Sequence, residues 1–211
     1  TLGDDVRINR IHGHLANYDV EEGAVITNVG TMVTQPGATF GNGVELETIN
    51  EGGGREVRIF NEMSSQFAYI YGMHRYRPQL IEKLEGMVDA CVDAVRSDRG
   101  RVGSRAMVAH VAEIVDVNIG PCAVVSGASR LHNGTILSEE GAPGQVGASV
   151  VAEDFIIGEG SSVDGGAVLS HAFVGQGVQI GKQFSVENSL FFANCEGFHG
   201  EACSIFAGPY T

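Results

Sequence analysis

Small-residue hexads recur along this chain, several of them opening on an aliphatic residue followed by glycine, as at Val102-Gly103, Ile157-Gly158 and Val174-Gly175. One line of openings runs Val102, Val108, Ile114, Ile119, Val125, Leu131, and a second runs Ile157, Val163, Leu169, Val174, Ile180, Val186. The step is six residues within each set of three and five between sets, so the repeat closes at 17 residues. A fixed period of this length predicts an all-β solenoid, a parallel β-helix of 17–18 residues per coil. Each coil would contact only its neighbours and could not bury its apolar corners alone.

The N-terminal stretch carries a related phrase three times, as Leu2-Gly-Asp-Asp-Val-Arg-Ile8, Val20-Glu-Glu-Gly-Ala-Val-Ile26 and Phe40-Gly-Asn-Gly-Val-Glu-Leu46. Its starts lie 18 and 20 residues apart, which predicts three further coils in the same phase. After Leu46 the phase stops, to resume at Val102. Between them Leu80, Ile81, Leu84, Met87, Val88, Cys91, Val92 and Val95 follow helical spacing behind Pro78, and Met63, Phe67, Ile70, Tyr71 and His74 do so behind Ser64 and Ser65. A helical hairpin within about residues 60–97 is expected, either covering the flank or end of the solenoid or meeting its copy in another subunit. The expected organisation is thus coils over 1–54, an inserted hairpin over 55–101 and coils over 102–211. A second break, without period, falls at 137–145. Because Thr1 and Thr211 both stand close to hexads, the solenoid is expected to continue beyond the chain.

Charge divides along the same lines. The net charge of −13 argues against a nucleic-acid backbone as partner. Residues 1–54 contribute −6, residues 55–105 contribute +2 and the remainder −9, so nine of the thirteen basic side chains sit in one segment. An anionic co-substrate is expected there if anywhere. No apolar run reaches membrane-spanning length. Four scattered cysteines make no disulfide scaffold, and the reducing cytoplasm is the expected compartment.

Phasing also sorts the histidines. His110 falls in an outward column with Arg10, Asn28, Thr48, Gly127, Gly165 and Lys182, where a cleft-facing general base could stand. His171 also lies off the aliphatic positions. His12, His14 and His132 read as solvated surface, and His74 as part of the helical stripe. Cys195, His199 and Cys203 are evenly spaced but match no common zinc pattern, and no metal is expected. Gly52-Gly-Gly-Arg55 reads as a flexible exit from the coil.

At its hexads the chain resembles the hexapeptide-repeat superfamily, whose members form left-handed parallel β-helices; the left hand is implied by the resemblance alone. The stretches Leu169-Ser-His-Ala-Phe-Val-Gly-Gln-Gly-Val-Gln-Ile-Gly181, Asn188-Ser-Leu-Phe-Phe-Ala-Asn-Cys195 and Gly200–Thr211 are similar to an uncharacterised bacterial family of larger hexapeptide transferases that carry a helical insertion. The resemblance implies an acyl-CoA-dependent acyltransferase acting on an amine or hydroxyl of a sugar or sugar nucleotide. It further implies a homotrimer with its site between subunits. On that reading His110 or His171 is the general base and Asn188 or Asn194 orients the acceptor. Arg96, Arg99, Arg101 and Arg105 meet the phosphates of acyl-CoA. Two other classes within the superfamily stay open, a non-catalytic assembly or ligand-binding β-helix and a carbonic anhydrase-like metalloprotein.

Overall fold

The computed structural model describes residues 1–211 and consists mostly of parallel sheet, with two helices. Strands of an eight-stranded and an eleven-stranded sheet alternate along the chain. In the larger sheet Glu113–Ile119, Arg130–Ile136, Val151–Ile157, Val168–Val174 and Ser185–Phe191 lie side by side. Ile114 pairs with Leu131, Leu131 with Ala152, Ala152 with Leu169 and Leu169 with Val186, register steps of 17, 21, 17 and 17 residues. The four extra residues form the aperiodic turn after Ile136, where Glu139 bridges to Ala142. All twelve aliphatic openings of the two sequence lines are buried in one apolar cluster.

Each seven-residue strand bends at its fourth residue, which is left-handed: Asp116 (φ 55°), Asn133 (47°), Asp154 (55°), His171 (51°) and Asn188 (47°). Short polar side chains tolerate this conformation best, which accounts for Asp and Asn at four of the five positions. A second left-handed column holds Arg10, Asn28, His110, Gly127, Gly165, Lys182 and His199, and a third holds Asp5, Gly23, Arg105, Cys122, Gly160, Gly177, Asn194 and Tyr210.

The insertion leaves the ladder earlier than the hexad phase predicts. Thr31–Val33 pairs with Glu113–Val115, and Val102 pairs with Ile119, so one rung is split and residues 34–99 emerge at its bend. Phe40–Leu46 is therefore no third coil. Glu45–Leu46 instead pairs antiparallel with Val57–Arg58, and Thr48 does not belong to the column of His110. The phrase deceives because Phe40 and Leu46 are fully buried and a side chain at Gly41 would collide with a neighbouring backbone, as one at Gly103 or Gly158 would, although Gly41 alone of these three glycines is left-handed.

Helix α1 spans Ser65–Met73 and α2 spans Pro78–Val95. Ser64 Oγ accepts the Phe67 N–H (3.2 Å) as N-cap, and Pro78 opens α2 where its missing N–H costs nothing. The stripe Ile81, Leu84, Val88 and Val92 joins Tyr71, the hairpin residues Leu46 and Val57, and Ile156, Phe173 and Leu190, which the larger sheet turns outward, in one apolar cluster. Of the alternatives open to the helical pair, covering the flank is the one the structure takes. That cover removes from water a contiguous apolar row that would otherwise promote aggregation.

The outgoing segment is pinned to the first left-handed column. Asp116 Oδ1 accepts the N–H of Gln35 (2.7 Å), Asn133 Oδ1 that of Gly41 (2.9 Å) and Asn188 Oδ1 that of Glu47 (3.2 Å). Thr135 Oγ1 adds a bond to the Phe40 carbonyl (2.7 Å).

Candidate functional site

The second left-handed column builds a small cleft. Met107–Ala109 ends at His110, whose positive φ of 56° throws the imidazole off the sheet. With residues 34–99 out of the ladder, Thr27 pairs directly with Ala109, and Asn28 becomes the neighbour of His110 in that column. Asn28 Nδ2 lies 2.7 Å from His110 Nδ1, and Asn28 Oδ1 lies 2.7 Å from His12 Nε2. His12, Asn28, Gly30, His110, Val111 and Ala112 line a cleft of about 260 Å³. At Gly30 a side chain would collide with the Ala112 carbonyl, so the backbones can approach only because this residue is glycine.

One amide thereby links two imidazoles. An imidazole that accepts at one nitrogen carries its hydrogen on the other, so the Asn28 amide sets the tautomers of both rings together. From the sequence His12 reads as solvated surface because it falls in the loop after the first coil. The register step between these strands is 18 residues, as Asn9 with Thr27, so the 16-residue separation of His12 from Asn28 carried no periodic signal.

His171 lies elsewhere. Its Nδ1 is 3.2 Å from Ser170 Oγ and its Nε2 3.4 Å from Asp154 Oδ2. Asp154 Oδ1 accepts from Asn133 Nδ2 (2.6 Å), tying this group to the column that pins the insertion. His110 and His171 thus stand on different columns and are not brought together. Asn188 holds the Glu47 backbone, and Asn194 belongs to the third column with its N–H donating to the Gln176 carbonyl (2.9 Å). Asn188 stands beside His171 on the adjacent strand, yet neither asparagine hydrogen-bonds to either histidine.

The four arginines are engaged with carboxylates. Arg99 holds Asp19 through Nη2 (2.8 Å) and Nε (3.0 Å), Arg101 meets Glu21 (2.5 Å), Arg105 meets Glu140 (2.9 Å) and Arg96 meets Asp93 (3.5 Å). Hydrogen bonds from Arg99 hold the Asp19 carboxyl well below the usual carboxylate range, helped by the Thr1 hydroxyl. Arg105 likewise lowers Glu140. Cys195 is buried with its Sγ 3.0 Å from the Gly208 carbonyl, whereas Cys203 is exposed, so the even spacing of Cys195, His199 and Cys203 creates no common centre. No group of three or more His, Cys, Asp or Glu side chains converges as metal ligands would. Neither helix is long and apolar enough to cross a membrane.

Parallel strands stacked mostly at a 17-residue register step, with one rung opened by a helical insertion, carry the linked imidazoles on an outer column. The chain belongs to the DUF4954 family, described as a domain of unknown function, whose sequence profile matches residues 1–211. An uncharacterized protein of Treponema pallidum (strain Nichols) is 26% identical over 173 residues, covering 77% of this chain and 24% of that protein's length. No solved structure matches the chain.

Proposed function

We propose that the stacked ladders are a left-handed parallel β-helix of the hexapeptide-repeat type and that the protein is an acyl-CoA-dependent acyltransferase with His110 as its general base. The observation that carries this reading is the pair of 2.7 Å contacts through which Asn28 holds His110 and His12 in one exposed cleft. Acyl transfer needs a base positioned to take a proton as an amine or hydroxyl attacks the thioester carbonyl. For His110 Nε2 to take it, Nδ1 must carry the ring hydrogen and the Asn28 oxygen must face Nδ1. A half-turn of the amide satisfies this and hands the amide nitrogen to His12 Nε2, so no bond is lost.

A site this open needs a further wall. In the proposed homotrimer a neighbouring subunit supplies it, and acyl-CoA and a sugar acceptor meet between the two. The co-substrate's phosphates exchange with Glu21 and Glu140 at Arg101 and Arg105. Both guanidiniums are more than half exposed, at 60% and 57%, and exposed ion pairs are weak enough to exchange cheaply. The four free cysteines suit a cytoplasmic location.

Calorimetric titration of the full-length protein with acetyl-CoA, with its mass measured by sedimentation, tests this reading. Saturable binding to a trimer is expected. A monomer, or a protein that binds no acyl-CoA, would leave a non-catalytic assembly role instead.

A further inference from the structure

The cover formed by the helical insertion stops short of the corner at which the larger sheet turns, and the gap between them is a trough running across successive strands. Gly120, Leu137, Gly158 and Gly175, each just past the end of its strand, line it in turn, and Pro209 follows. Three cavities of about 300, 470 and 400 Å³ make it up. The first two have Asn61, Leu137 and Glu159 in common and the last two Ser65, Gln66 and Pro209, so the trough is continuous. Five strand spacings separate Ile119 from Ala207 along it, a span of about 24 Å. None of its residues lines the cleft of His110.

The chemistry of the trough changes along its length. At one end Arg101 binds Glu21 through Nε alone, which leaves both Nη nitrogens open. In the middle stand the exposed Glu62 and Glu159, whose Oε2 accepts from Gln176 Nε2 (3.1 Å) while Oε1 is open. At the far end Tyr69 (52% exposed) and Ile70 (38%) make an apolar wall with Phe206 and Pro209. Three strand spacings lead from Val102, beside Arg101, to Ile157, two residues before Glu159, a distance of about 14 Å. Three more lead from Ile157 to Ala207, beside the apolar wall, about 14 Å again.

We propose that the trough binds an extended peptide segment of a partner protein, with an acidic, a basic and an apolar residue spaced four apart in that order. In an extended chain residues i, i+4 and i+8 share one face at intervals of about 13 Å, which matches the spacing of the three regions. The acidic side chain meets the Arg101 fork, the basic one Glu159 and Glu62, and the apolar one Tyr69 and Ile70. Asn118 Nδ2 and Gln66 Nε2, which have no partner of their own, donate to peptide carbonyls. A nucleic acid would bring its phosphates against Glu62 and Glu159, and an acyl chain would leave all three charged side chains unanswered. The acyl-transfer reading also uses Arg101, so the test is made without acyl-CoA and turns on the two glutamates, which that reading does not use.

The test is fluorescence anisotropy of the full-length protein with dye-labelled nine-residue peptides, uncharged at both ends, that carry aspartate first, lysine fifth and phenylalanine ninth among serines and alanines. The same composition in reversed order covers the other chain direction. Saturable binding is expected in at least one direction, and exchanging the peptide's lysine for glutamate should weaken it by about tenfold, the scale of one lost charge-assisted hydrogen bond. Glu159→Lys should remove that preference, and Glu62→Lys combined with Glu159→Lys should invert it. Tyr69→Ala, at an exposed site, should weaken the lysine and glutamate peptides alike. No saturable binding in either direction, equal affinity for the lysine and glutamate peptides, or an unchanged preference in the double variant would each overturn the proposal.

Discussion

Asn28 and His110, 82 residues apart in sequence, stand side by side because the insertion opens the rung between them, and Asn28 Nδ2 lies 2.7 Å from His110 Nδ1. The asparagine is a positioning residue in the proposed chemistry, since it fixes which ring nitrogen is free. Asn28→Leu removes the partner of both imidazoles and is expected to cost on the order of 10²-fold in acyl transfer, with acetyl-CoA affinity unchanged. Asn28→Asp keeps an acceptor at Nδ1 and adds a negative charge, which favours the imidazolium. It should retain activity and move the acidic limb of the pH–rate profile to higher pH. A merely structural role for Asn28 would not move that profile.

Gly41 and Asn133 test how the insertion is pinned. Gly41 has φ 82° and donates its N–H to Asn133 Oδ1, and an added Cβ would collide with the Phe155 carbonyl. Gly41→Ala therefore meets both a strained backbone and a blocked approach. Asn133→Ala leaves the Gly41 N–H without its acceptor. Each is expected to destabilise by about 1–3 kcal/mol in denaturant unfolding. Limited proteolysis should show cleavage beginning within residues 34–50, before the ladders are attacked.

Arg99 and Asp19 join the last residue before the returning half-rung to the strand beneath it. Asp19 has a folded-state pKa depressed below its unfolded value, so its contribution is fully present above the ordinary carboxylate range. That contribution is lost as pH falls through the depressed value. Glu56 and Glu140 are lowered too and act in the same direction. Thermal unfolding midpoints should therefore decline on acidification below about pH 4, the ordinary carboxylate value. Arg99→Gln should flatten that decline. Because Asp19 is 40% exposed, the difference between the two proteins should also shrink as salt is added.

Period and burial agree so well in residues 102–211 because a 17-residue step puts the same demand on every rung. Val108, Val125, Val163 and Ile180 could be assigned inward from spacing alone. The helices were equally legible, since Ser64, Pro78 and the Ile81–Val92 stripe are local signals. What spacing could not show was where the insertion begins. Phe40, Gly41 and Leu46 meet the requirements of a hexad corner while serving a hairpin, and only the pairing of Thr31–Val33 with Glu113–Val115 separates the two. The same ambiguity placed Thr48 between Asn28 and His110 and hid their contact. Asn188 has a left-handed φ in common with its column, but its bond to Glu47 depends on a segment 141 residues away, which no periodicity reports.

The acyl-transfer account is tested most directly by the rate at which the full-length protein releases CoA thiol from acetyl-CoA in the presence of an amino-sugar acceptor. The account predicts acceptor-dependent release that falls by about 10²–10⁴-fold in His110→Ala, the range set by loss of a general base, with acetyl-CoA binding retained. No acceptor-dependent release, or an equal rate in His110→Ala, would contradict it.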